Sequence, residues 1–316
     1  MHYHTRKMLL DALGNMGAFV YNLLYFAKRS QTDNDLATLR NFVLSLPREV
    51  KEKYAEECAY VETMSIDALS SIMFPYPEVK RNRDASKVVA DVEGGLPYVI
   101  HREEKKLFFP RHCSTGSAIS QYLGLVNDEG LLGTGSRVKS PHCYQDENFK
   151  VEDGDILLDI GCAEAIFALD NIGKVSRAYL FECASEWRKP LRRSFAPYGD
   201  KVVLVNKLVS DNSRGKTTTL LDAVKGNVSV TSHFFVKMDI EGGERTVLKG
   251  NVDFFMNHKV KLSCCVYHRQ DDAQVIETTL RDMGYKTRFS EGYMLPVMNG
   301  IHYPYFRHGV IYAQNY

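Results

Sequence analysis

The chain has 316 residues, of which 44% are hydrophobic, enough to fill a core for one large domain or for a catalytic domain with a smaller companion. Its 40 basic and 39 acidic residues leave a net charge of +1, so no global field favours nucleic acid or an acidic membrane surface. The seven cysteines (58, 113, 143, 162, 183, 264 and 265) include no C-x-x-C pair and no His-containing zinc spacing, which predicts reduced thiols in a cytoplasmic compartment rather than a disulfide framework.

The first long apolar stretch, "MLLDALGNMGAFVYNLLYFAKRS", is amphipathic and helical in pattern. Its most apolar part, Met16 to Ala27, is shorter than the roughly 20 residues of a membrane helix. No small-residue processing site follows it, so neither an integral membrane segment nor a cleaved signal is expected. In "TDNDLATLRNFVLSLP", Leu36, Leu39, Val43 and Leu46 recur at helical spacing, with Thr32 or Asp33 as cap and Pro47 as stop. Residues 1–94 thus read as a helical N-terminal cap or interaction domain, whose apolar helices suit core packing or a homodimer interface.

Residues 95–150 read as a connector. "LPYVIHREEKKLFFPRH" predicts two short strands around a charged turn, and "GLLGTGSRVKSPHCY" is a Gly- and Ser-rich loop or lid. From 151 to 316, apolar strands alternate with helices: "DILLDIG", "AYLFE", "KVVLVNKLV", "FFVKMDIEG" and "VKLSCCVYH" as strands, with "ERTVLKGNVDFFMN" and "DDAQVIETTLRDMG" among the helices. That alternation predicts a mostly parallel α/β sheet covered on both faces. The final pair, near "TRFSEGY" and "GVIYAQ", has no helix between its members and predicts an antiparallel edge strand.

Strand ends in such a sheet are where ligands bind. "ILLDIGCAEAIFAL" runs from strand through turn to helix, and Glu182 ends the next strand about 20 residues on, a spacing that suits a carboxylate on a ribose diol. A dinucleotide fingerprint would place glycine at 161, 163 and 166, whereas the chain has Gly161, Ala163 and Ile166. S-adenosylmethionine carries no phosphate and does not need that anion cradle, so it fits this turn better than NAD. Asp159, Gly161, Cys162, Ala163 and Glu182 are the candidate cofactor residues, Asp159 either orienting the loop or holding the cofactor's ammonium group.

"FVKMDIEGGERTVLKG" closely resembles the signature of the FkbM-type methyltransferase family, with Lys237, Asp239, Glu241, Gly242 and Glu244 in the places of Lys-x-Asp-x-Glu-Gly-x-Glu. "DIGCAEAIFAL" is similar to that family's cofactor turn, and "KKLFFPR", "SPHCY" and "VYHRQDDAQVIE" look like segments of a bacterial branch of it. The resemblance covers residues 95–316. It implies a Rossmann-like class I methyltransferase fold and methyl transfer from S-adenosylmethionine to an oxygen of a sugar, glycan or secondary metabolite. The family usually has glycine where this chain has Ala165, which would cost stability or cofactor affinity if the backbone there is left-handed.

A hydroxyl acceptor benefits from a base, and Asp239, Glu241 and His268 stand at the ends of the fourth and fifth strands, His268 ranking first because an ordinary imidazole titrates near neutrality. The same three could ligate a divalent metal, but no local ligand spacing supports it and no metal is expected. Glu244 reads as a helix N-terminal carboxylate. Tyr267 and Arg269 are candidates for substrate binding, as are His142 and Tyr144 from the connector; Asp271 and Asp272 fit a helix-capping loop equally well. Two further readings stay open: a nicotinamide oxidoreductase, against the missing glycines, and a non-catalytic interaction module of the same fold.

Overall fold

The computed structural model describes residues 40–63, 73–76, 84–128, 140–226, 228, 231–296 and 304–316. The amphipathic stretch at 8–30 and the Gly-rich part of the connector at 130–139 lie outside them. The chain divides into two compact units, Met1–Pro75 and Tyr76–Tyr316. Among the described residues no helix is long and apolar enough to cross a membrane.

In the first unit a helical stretch ends at Leu44, short of the expected stop at Pro47. The Pro47 carbonyl accepts the Val50 and Lys51 N–H groups and opens helix α1 (Arg48–Lys53), which α2 (Ala55–Thr63) follows. Val43, Leu46, Tyr54, Cys58 and Val61 form the buried side of these helices.

The second unit begins with an antiparallel meander of β1 (Ala90–Glu93), β2 (Leu96–His101) and β3 (Lys105–Phe108). Gly94 and Gly95 both have positive φ and make the two-residue turn that joins β1 to β2, a conformation that matches the strands' twist. Strand β1 precedes residue 95 and belongs to this meander. Helix α3 (Thr115–Asp128), capped by the Ser114 hydroxyl, packs on β2.

The main sheet has seven strands in the order β11-β12-β10-β9-β4-β5-β6, where β4 is Ile156–Ile160, β5 Arg177–Phe181, β6 Val202–Val205, β9 His233–Met238, β10 Lys259–Cys265, β11 Lys286–Phe289 and β12 Val310–Gln314. A short parallel pair, β7 (Leu208–Val209) and β8 (Thr217–Thr218), stands apart from it. Strands β4, β5, β6, β9 and β10 run parallel, as their unbroken apolar runs predict. Chain order reverses at β4, which leaves a crevice beyond the carboxyl ends of β4 and β9.

The antiparallel strand differs in place from the expectation. It is β12, inserted between β10 and β11, and the edge strand β11 runs parallel to the rest. Burial explains the order: "VIYA" of β12 is buried on both faces, whereas β11 alternates exposed Lys286 and Arg288 with half-buried residues, a pattern that suits an edge.

The helices are α4 (Ile166–Asn171), α5 (Arg188–Phe195), α6 (Leu220–Val224), α7 (Glu244–Gly250), α8 (Val252–Asn257) and α9 (Asp272–Asp282). "ERTVLKGNVDFFMN" is two helices, not one. Gly250 lies against Asp211, where a Cβ would come 2.3 Å from that residue's Cα, and the Asn251 amide is drawn to Ser210 O and Leu220 N. One face of the sheet carries a column of rings, with Phe149 stacked on Tyr312, Phe167 stacked on Phe235, and Phe149 tilted against Phe235. Tyr144 meets Phe167 edge-on at 5.6 Å, so this column fixes the connector over the crevice.

Candidate active site

The first wall of the crevice is the turn after β4. Gly161 has φ +76, and a Cβ there would lie 2.0 Å from the Asp239 carbonyl oxygen at the end of β9. Only glycine lets the two backbones meet so closely. The turn continues through Cys162, which is buried, then Ala163 (φ +47), Glu164 and Ala165 (φ +61, ψ +38). The backbone is therefore left-handed at the position where the family usually has glycine, a conformation that costs an alanine about 1 kcal/mol or more. Glu182 braces the turn: one carboxylate oxygen accepts the Ala163 N–H at 3.1 Å and the other the Ala184 N–H at 2.7 Å.

Asp159 lies beneath this turn, fully buried. Its register partner on β9 is Lys237, whose Nζ stands 3.1 Å from Asp159 Oδ1 and also donates to the Gly161 carbonyl at 3.0 Å. Asp159 thus orients the loop through Lys237. Burial still raises its carboxyl pKa, against the pull of Lys237. Glu164, which accepts from the Gln121 amide of α3, is pushed up to about 7 by burial.

The opposite wall is a cluster of charged side chains at the ends of β9 and β10. Asp239 sits at its centre: Oδ2 accepts the Tyr144 hydroxyl at 2.7 Å and lies 3.5 Å from His142 Nε2, while Oδ1 lies 3.3 Å from His268 Nε2. His268 Nε2 is also 3.8 Å from Glu241 Oε2, and its Nδ1 is 3.1 Å from Glu244 Oε1. The Glu244 oxygen that faces the imidazole also accepts the Ile240 N–H, which anchors it. Glu241 has φ +56, so the chain makes a left-handed step there before Gly242.

These contacts overturn the expectation of a near-neutral His268. Burial alone would lower its pKa, but the Asp239 and Glu244 carboxylates in ion-pair contact with the ring push it up to about 11, so the ring is an imidazolium at neutral pH. Asp239 is held well below the usual carboxylate range by His142 and His268 despite its burial, whereas burial raises Glu241. Burial also drives the Cys265 thiol and Tyr267 hydroxyl well up.

The crevice brings together Asp239, Glu241, His268, His142 and Tyr144. Tyr267 is walled in between the His142 and His268 rings, and Arg269 reaches back over the turn to donate to the Gly242 carbonyl at 2.6 Å. Asp272 takes the Arg269 N–H and pairs with Arg245, as does Asp271, so both serve the start of α9. The sequence reading missed two residues. Cys265, with Sγ 3.4 Å from His142 Nε2, follows Cys264, the register partner of Met238, so counting strand ends could have found it. Lys237 was seen only as a signature position, and its parity with Asp159 across β4 and β9 was the available signal.

Residues 210–287 match the family model described as the Methyltransferase FkbM domain, which bears out the FkbM resemblance over the stretch that holds Lys237, Asp239, Glu241, Glu244 and His268. No curated protein matches the chain. Among solved structures it is similar to methyltransferase FkbM of Methylobacillus flagellatus KT (21% identity over 52% of this chain and 44% of that one, TM-score 0.40). It is also similar to Sp1610 of Streptococcus pneumoniae, described as a putative tRNA (m1A22) methyltransferase in complex with S-adenosyl-L-methionine (17%, 52% and 68%, TM-score 0.34). A third is SMU.1697c of Streptococcus mutans, described as a putative methyltransferase in complex with SAH (11%, 52% and 90%, TM-score 0.34). The chain spans less than half the length of the Methylobacillus protein.

Proposed function

We propose that this chain is an FkbM-like, S-adenosylmethionine-dependent O-methyltransferase whose acceptor is a hydroxyl of a sugar, glycan or secondary metabolite. The observation that carries the reading is the closure of the Gly161 turn on the Asp239 carbonyl, with Glu182 at the next strand end. A cofactor pocket and an acidic cluster then share one backbone contact.

The residues fit the cofactor. Gly161, Cys162 and Ala163 offer a close backbone, and Glu182 keeps lone pairs for a ribose diol beyond the two N–H groups it accepts. When bound, S-adenosylmethionine supplies a methyl group on a sulfonium leaving group. The protein's task is to align the acceptor oxygen with that methyl and to exclude water. As the oxygen–carbon bond forms and the carbon–sulfur bond breaks, the hydroxyl proton must leave. His268 cannot take it while it is an imidazolium; it holds Asp239 in place. Glu241 is the open carboxylate of the cluster, its side chain 51% exposed, and its raised pKa makes it the better proton acceptor. Tyr144 and His142 orient Asp239 from the connector, and Arg269 and Tyr267 border the acceptor's approach.

The buried vicinal thiols Cys264 and Cys265 fit a reducing, cytoplasmic compartment. Residues 1–94 would supply a cap or a homodimer interface beside the connector and the methyltransferase domain at 151–316. Nucleic acid is not the expected partner, given the balanced charge. A second reading, a non-catalytic module, draws on the left-handed Ala165.

Calorimetric titration of the full chain separates these readings. Saturable binding of S-adenosylmethionine but not NAD, weakened at least tenfold in Glu182→Ala, is the expected result. Binding of NAD alone would replace the reading with an oxidoreductase. No binding of either would replace it with the module.

A further inference from the structure

Three carboxylates, Asp239, Glu241 and Glu244, surround one buried imidazole. The His268 side chain is only 4% exposed, yet neither of its ring nitrogens makes a well-formed hydrogen bond, and Asp239 Oδ1, which faces it at 3.3 Å, makes none either. Buried polar atoms are nearly always fully paired, so an ion pair at 3.3 Å whose two atoms form no well-aligned hydrogen bond is a place where a shared third partner would satisfy both. We propose that Asp239, Glu241 and His268 bind a divalent transition-metal ion, with Glu244 fixing the histidine.

The geometry supports this assignment. One ligand atom from each of the three residues lies within 4.8 Å of the others. Ligands about 2.0–2.2 Å from an ion at tetrahedral or octahedral angles stand roughly 3–3.6 Å apart, which the His268–Asp239 separation meets. The Glu241 oxygen is slightly wide at 3.8 Å, and its exposed side chain can close that gap by rotation. On the far side of the ring, Glu244 Oε1 faces Nδ1 at 3.1 Å and is itself anchored by the Ile240 N–H. A carboxylate on the second nitrogen is the usual way a metal-ligating histidine is held, and the ion would displace the Nε2 proton of the imidazolium, which leaves to solvent. The solvent side of Glu241 leaves coordination positions open.

A neighbouring triad, His142, Asp239 and Cys265, also brings ligand atoms together. There the Tyr144 hydroxyl already donates to Asp239 Oδ2 at 2.7 Å, so that corner is filled by a hydrogen bond while the Oδ1 corner is not. One imidazole and two carboxylates suit Mn2+ or Zn2+. A bound ion would make Glu241 a ligand instead of the proton acceptor and would lower the pKa of the acceptor hydroxyl, whose proton would then leave to water through the open side of the crevice. Metal binding itself does not rest on methyl transfer, and its test needs no cofactor.

The test is to strip the full chain with chelator and titrate it with Mn2+, following the spin resonance of free ion, and separately with Zn2+ by calorimetry. Uptake of one equivalent of either ion, weakened at least tenfold by Glu241→Gln and changed less than twofold by Cys265→Ser, is expected, with circular dichroism confirming that both variants are folded. Three results would overturn the proposal: uptake of neither ion, affinity untouched by Glu241→Gln, or affinity lost in Cys265→Ser. None of them bears on S-adenosylmethionine binding, which is measured without metal.

Discussion

At the end of β4 the crevice is shaped by backbone: a glycine pressed on a carbonyl, two left-handed alanines, and a glutamate that spends both oxygens on N–H groups. Across from it, at the ends of β9 and β10, the shape comes from charge: one imidazolium among three carboxylates, with a tyrosine and a second histidine completing the Asp239 shell. The two walls meet at Asp239, whose carbonyl closes on the turn and whose carboxylate centres the cluster. A backbone-built wall is sensitive to single methyl groups. A charge-built wall tolerates changes of shape and is sensitive to the removal of one charge.

The sharpest way to break the comparison is to remove that charge. His268→Ala leaves Glu244 buried without its cation, and we expect a loss of about 3 kcal/mol in urea unfolding. A loss below about 1 kcal/mol would mean that the cluster is not held by charge. Gly161→Ala tests the other wall. Its new Cβ would overlap the Asp239 carbonyl, which cannot yield without parting β4 from β9, so a loss of about 2–3 kcal/mol is expected, together with weaker cofactor binding. Ala165→Gly acts in the opposite direction. Relief of a left-handed alanine should stabilise the fold by about 1 kcal/mol, read as a higher unfolding midpoint, and no gain would show that the turn carries no strain.

The smallest effect is a slope. Glu164 has its folded pKa raised to about 7 from an ordinary glutamate value, so the unfolded chain ionises first and stability falls as pH rises from about 4.5 to 7. Glu164→Gln, which can keep the Gln121 contact, should flatten that part of the stability profile and raise stability above pH 7. An unchanged profile would mean that the carboxyl is solvated.

The same contrast decides what could be read in advance. The parallel strands through β10 and the use of their carboxyl ends followed from apolar runs alternating with helices, and Asp239, Glu241 and His268 were found because strand ends are visible in a linear pattern; the spatial order of the strands was not. The conformation of Ala165 was not visible, since no residue type reports its own φ; only the likeness to a glycine position raised the question. The protonation of His268 was equally hidden, because it depends on Glu244 arriving from the start of α7. Nor did the pattern place β12. Its apolar run marked a buried strand, but which neighbour it would choose is a matter of which edge most needs covering.

That insertion of β12 imposes an order on the growing polypeptide. When the ribosome has made residues up to Phe289, strand β10 still presents a bare row of hydrogen-bonding groups and β11 has nothing to pair with. Both wait for five residues, Val310 to Gln314, that are synthesised after every other strand of the sheet. Nascent chains interrupted before that point therefore expose an adhesive apolar edge, and they are the natural clients of holding chaperones.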